Sequence, residues 1–187
     1  MIGDLISYET NRKEIGTMLI NRAPVLTLWA TVVAKRMGYS EDEALTLGKA
    51  VAGYTAQFKG RSLGIYTVKE KSETGEERTE KREAKLVDLM GRKIPTIEER
   101  GEIRSISKDK AVDPDSVRRY LDKKFGENLD EFAAAMEALA KSYNPEELNA
   151  TAFRLYEKFR PEIPKGKRGW GAKGELNLEK IRKLMKE

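Results

Sequence analysis

Val25, Leu28, Trp29, Val32 and Val33 recur at i, i+3, i+4, i+7 and i+8, which commits the chain after Pro24 to a helix with one apolar face along its length. Pro24 suits a first helical position, where a missing N–H costs nothing, and Gly38 supplies the stop. Trp29 is therefore read as a core residue. Similar periodicity places a helix ahead of it over residues 8–20, with Ile15, Met18 and Leu19 as its stripe. Ser40 and Glu43 form a capping-box pattern that opens a further helix reaching Gln57 or Phe58. Its face of Ala44, Leu47, Gly48, Val51 and Ala52 is small enough for close approach to a neighbour.

The signal then changes. Residues 63–68 hold β-branched and aromatic side chains at strand density. Residues 69–82 carry five acids and five bases around Gly75 with no apolar side chain, and are read as an exposed loop. Short strands are expected over 85–90, 93–97 and 102–106, with turns at Gly91-Arg92 and Glu99-Arg100-Gly101, giving a small antiparallel sheet.

Helical signals return at Asp113-Pro114, an N-cap followed by proline, with Val117, Tyr120, Leu121 and Phe125 as the apolar stripe. A second stripe runs through Leu129, Phe132, Ala133, Met136, Leu139 and Ala140. A third, capped by Asn144-Pro145 with Glu147, runs through Leu148, Ala152, Leu155, Tyr156 and Phe159 and stops at Pro161. Asn177 caps a last short helix bearing Leu178, Ile181, Leu184 and Met185. The expected fold is α+β and mainly helical. A three-helix unit with its small antiparallel sheet spans 1–107, a helical unit 108–164, and a basic tail with a short terminal helix 165–187.

Composition narrows the chemistry. A chain of 187 residues buries about 70% of its unfolded surface, so a core forms without staples. Cysteine and histidine are both absent, which removes disulfides, thiolate metal sites and the commonest general base near neutral pH. No cofactor or metal is expected, and enzymatic activity is disfavoured. No apolar run follows Met1-Ile2-Gly3-Asp4 and no stretch is long enough to span a membrane, so the reading is cytoplasmic. Charged residues make up 36% of the chain, rich in Lys and Glu, as in thermophilic proteins.

Three motifs bear on function. Val33, Ala34, Met37, Gly38, Ala44 and Leu47 fit a generic helix-turn-helix pattern, yet its second helix opens on Glu41-Asp42-Glu43, which phosphates repel. Interaction with the helix dipole explains those acids better. Gly169-Trp170-Gly171-Ala172-Lys173-Gly174 matches G-x-G-x-x-G but lacks the preceding strand and the acidic partner about 20 residues on. Asp109, Asp113 and Asp115 crowd a helix entrance, where capping accounts for at least one of them and a Mg²⁺ ion is the lesser alternative.

Charge asymmetry points furthest. Residues 160–187 hold nine Lys/Arg against four Asp/Glu, so they carry the whole net charge of +5. Lys165, Lys167, Arg168 and Lys173 interleave with glycines and Trp170, a pattern suited to tracking phosphates while an indole stacks on an unpaired base; the alternative is that Trp170 folds back onto the helical body as a hydrophobic anchor for the C-terminal helix, leaving the lysines as solvated charges. Lys59 and Arg61 are secondary candidates, and Arg118, Arg119, Lys123 and Lys124 form another cationic group on a helix. The expected function is low-specificity nucleic-acid binding through Lys59, Arg61, Lys165, Lys167, Arg168, Trp170 and Lys173. The alternative is a scaffolding module whose Leu178, Ile181, Leu184 and Met185 stripe docks on a partner or a second copy.

Overall fold

The computed structural model describes residues 16–57, 66–71, 77–82, 84–166 and 172–186. Its element order is β1 (Thr17–Ile20), α1 (Arg22–Arg36), α2 (Glu41–Gln57), β2 (Tyr66–Lys71), β3 (Glu77–Arg82), β4 (Lys85–Leu89), β5 (Arg92–Glu99), β6 (Glu102–Ser107), β7 (Lys110–Ala111), α3 (Pro114–Phe125), α4 (Leu129–Lys141), α5 (Pro145–Phe159), β8 (Gly174–Asn177) and α6 (Leu178–Arg182). The chain is α+β and mainly helical, with helices before and after a sheet-containing middle.

Helix α1 is the axis of the core. Sequence periodicity implies one buried face, but every residue from Pro24 to Ala34 is buried, because α2, α3, α4 and α5 all pack against it. Its polar members are satisfied within the helix: the Thr27 hydroxyl donates to Ala23 O and the Thr31 hydroxyl to Thr27 O. The Trp29 indole N–H donates to Ala152 O at 2.9 Å, and its ring meets Phe159 edge-on at 5.4 Å. That places Trp29 in the core, as its spacing predicts.

Helix α2 lies close along α1 at Gly48. A Cβ there overlaps the Thr31 hydroxyl and stands 2.6 Å from Thr27 O and 2.9 Å from Thr31 N. The capping box at its N-terminus is formed from both sides: Ser40 N–H donates to Glu43 and Glu43 N–H donates to the Ser40 hydroxyl.

The same Glu43 closes the sheet. Strands β4, β5, β6 and β7 pair antiparallel in that order, and β7, two residues long, leaves part of the β6 edge unpaired. One helical turn of α2 covers it: Ile103 N–H donates to Glu43 Oε2 at 2.9 Å, and Ser105 N–H donates to the Thr46 hydroxyl at 3.1 Å. Residues i and i+2 of a strand edge thus meet i and i+3 of a helix face. Desolvation pushes the Glu43 carboxyl up, but the hydrogen bonds from Ile103 and Ser40 and the charge of Arg104 outweigh it and hold the pKa below its ordinary value. A carboxylate depressed in this way stabilises the fold above its unfolded pKa and loses that contribution as pH falls through the folded one. Glu43→Gln is therefore expected to cost about 1 kcal/mol in urea unfolding at pH 7. Because the wild-type carboxylate protonates in acid, the difference should fade as pH falls through its lowered pKa; a difference that does not change with pH rules this out.

Two expectations are corrected. Residues 17–20, placed at the end of a first helix, form β1, which pairs with β8 in the register Thr17↔Asn177 to Ile20↔Gly174. A distant strand overrides the local helical pattern there, and residues 8–15 lie outside the described residues. The charged stretch 69–82, read as a loop, includes the end of β2 and all of β3, paired from Tyr66↔Arg82 to Lys71↔Glu77. Opposite charges sit across the ladder at Glu70↔Arg78 and Lys71↔Glu77, a cross-strand arrangement that composition alone does not reveal. The place of the C-terminal residues, which the sequence leaves open, is given by the structure for residues 172–186. Strand β8 joins β1, and α6 packs on α4 and α5 with Leu176, Leu178 and Ile181 buried. Of the stripe read as a docking face, Leu178 and Ile181 are therefore used by this chain itself, Leu184 packs against the core, and Met185 is exposed.

Candidate nucleic-acid interface

The Gly/Lys/Arg/Trp segment begins where α5 ends. Pro161 stops the helix, and Arg22 Nε donates to Pro161 O at 2.8 Å, tying that turn to the start of α1. Glu162 then forms an antiparallel bridge with Glu175, so the chain on either side of residues 167–171 is held together at that crossing. Gly174 lies at this crossing. A Cβ on it overlaps Glu162 O and stands 2.7 Å from Glu162 C, so the last glycine of the G-x-G-x-x-G match is required by two backbones in contact, without any pyrophosphate.

Several cations lie on the chain around this crossing. Lys165 and Lys173 are exposed, and neither has a hydrogen bond or ion pair among the described residues. Lys180 stands 3.8 Å from Glu162 with both side chains well exposed, a pair of little energetic weight. Arg22 and Arg160 both lie close enough to Tyr156 for their charges to act on its hydroxyl. Burial nonetheless pushes that hydroxyl up to about 12, so it stays protonated and unavailable as a base at neutral pH. The hydroxyl reaches Arg22 O at 3.4 Å, which adds a second link between α5 and the start of α1.

Of the seven residues expected to contact nucleic acid, the structure describes Lys165 and Lys173, each within three residues of the Glu162–Glu175 bridge. Lys59, Arg61, Lys167, Arg168 and Trp170 lie outside the described residues. Sequence reasoning missed Arg22, Arg160 and Lys180. Arg22 carries no local signal, since only the fold sets it beside Pro161, far along the chain.

The other motifs resolve into structure. Arg118 binds Asp42 at 2.5 Å and Asp115 at 2.6 Å, with Glu41 at 3.8 Å, so the acidic opening of α2 is joined to α3. The Asp42 hydrogen bond, with the charges of Asp42, Glu41 and Asp115, raises the Arg118 pKa against desolvation and keeps it fully charged. Arg118 thereby leaves the second cationic group, whose Arg119, Lys123 and Lys124 remain exposed. Asp113 caps α3 by accepting from Asp115 N–H, and Asp109 occupies a left-handed turn position at φ 63°. Among the described residues no group of three acids forms a metal site, and no helix is long and apolar enough to cross a membrane.

The fold is that of an α+β, mainly helical protein whose chain crosses itself at Glu162 and Glu175. No protein family, no curated protein and no solved structure matches the chain.

Proposed function

We propose that this protein binds nucleic acid with little regard to sequence, through the basic segment between Glu162 and Glu175. One observation carries the reading: the segment in which Lys167, Arg168 and Trp170 alternate with glycines is anchored at both ends, beside exposed Lys165 and Lys173. Anchoring lowers the entropy lost when a loop is ordered on a partner, so a short basic segment binds better closed than as a free end. Arg22 and Arg160 extend the positive field from the loop onto the body. Phosphate neutralisation supplies affinity by counterion release, and the indole stacks on an exposed base. Lys59 and Arg61 are secondary contacts in this reading.

An electrophoretic shift series with single- and double-stranded DNA and RNA at several salt concentrations tests it. Replacing Lys167 and Arg168 by Ala should lower the slope of log K against log salt by about 2, at about one unit per contact. Absent binding, or binding indifferent to salt, overturns the proposal.

A further inference from the structure

Two arginines share the turn that ends α5, and among the described residues neither has an acid as partner. Arg22, at the start of α1, donates from Nε to the carbonyl of Pro161, the residue that follows Arg160. The charges of both arginines reach the Tyr156 hydroxyl, which itself contacts Arg22 O at 3.4 Å. Both arginines are half-buried. Glu162, the next acid along the chain, stands 3.8 Å from Lys180 with its side chain 86% exposed. Tyr156 supplies no counter-charge either, since burial pushes its hydroxyl up to about 12 and keeps it neutral.

We infer that Arg22 and Arg160 bind a phosphomonoester group, in this setting the terminal phosphate of a nucleic-acid strand. The inference rests on the nucleic-acid reading and deepens it, by naming the part of the strand that the body of the protein holds. A guanidinium keeps its charge throughout the physiological pH range, so two of them at one turn repel each other until an anion joins them. The Pro161 carbonyl takes only the Nε–H of Arg22, and the Arg160 side chain makes no hydrogen bond among the described residues. Planar N–H edges are thus left for bidentate contact with phosphate oxygens. Charge then selects the ligand. An internal phosphodiester carries about one negative charge, whereas a phosphomonoester carries about −1.5 to −2 at neutral pH and matches the pair. Inorganic phosphate offers the same chemistry, and the experiment separates the two sources.

The test measures binding of the full chain to a short oligothymidine bearing a 5′ phosphate, a 3′ phosphate or neither, and to inorganic phosphate by calorimetry. At least one phosphate-ended strand should bind the wild-type protein about tenfold more tightly than the hydroxyl-ended strand, as charge-assisted hydrogen bonds allow. Arg160→Gln should remove that preference, and so should Arg22→Gln. Lys158→Gln, an equal loss of charge at an exposed position of the same helix, should keep it. A wild-type protein that binds all three strands equally, or a preference that survives both arginine variants, overturns the inference. If the strands bind equally while Lys167→Ala with Arg168→Ala lowers the salt slope, the phosphomonoester site fails and the nucleic-acid reading stands. If inorganic phosphate binds, Arg160→Gln abolishes that binding and no strand binds, the site stands for a small phosphorylated ligand and the nucleic-acid reading fails. If neither the strands nor inorganic phosphate bind, both fall.

Discussion

Gly48→Ala is expected to destabilise the protein by about 3 kcal/mol, the upper end of the usual cost of overpacking a core. The added methyl collides with the Thr31 hydroxyl, which can move, and also approaches Thr27 O and Thr31 N, which are backbone of a helix buried all round. Relief therefore requires α1 and α2 to separate, and separation loosens every contact along their length. Two companion variants sharpen the measurement. Thr31→Ala should fail to rescue Gly48→Ala, because the backbone clash persists. Gly53→Ala, on the same helix with open space around its Cα, should be neutral or stabilising by up to about 1 kcal/mol through helix propensity. Urea unfolding of the set decides it: similar effects at positions 48 and 53 contradict the close approach.

A chain ended at Pro164 is expected to lose its cooperative unfolding transition. The missing part includes β8 and α6, and with them the buried side chains of Leu176, Leu178 and Ile181. Each is worth about 1.5–3 kcal/mol of transfer free energy, roughly 5–9 kcal/mol together. That sum is comparable to the whole stability of an ordinary domain, about 5–15 kcal/mol. Strand β1 loses its partner in the same cut, and Gly16 O loses the hydrogen bond from Leu178 N–H. Leu178→Asp should act similarly within the full-length chain, by burying a carboxylate against the backbone of Gly16 with no partner to receive it. A truncated chain that melts at the wild-type temperature refutes this account of the C-terminus. For the function, Lys167→Ala with Arg168→Ala is thus the sound probe of the loop, whereas truncation confounds binding with folding.

Helix boundaries were legible in the sequence because capping is local. Ser40 with Glu43, Asp113, Asn144 and Asn177 each act on an amide two or three residues away, and all four form the expected bonds. The turns at Gly91 and Gly101 were legible for the same reason, since a left-handed position favours glycine wherever it falls. Pairing is not local. The ladder of residues 66–71 with 77–82 depends on which charge stands opposite which, and a stretch rated by composition alone reads as loop.

The candidate site divides in the same way. The chemistry of the Lys165 to Lys173 segment, its cations, glycines and tryptophan, is written in the sequence, as are the helices, their caps and the place of Trp29 in the core. That the described chain on either side of this segment meets at one crossing, with Arg22 bonded to Pro161 beside it, was decided by tertiary structure alone. It follows from the pairing of β1 with β8 and the bridge of Glu162 to Glu175, which join the two ends of the described chain. Residue type and spacing report only on neighbours within a few turns, whereas such contacts depend on where the packed helices carry each end of the chain.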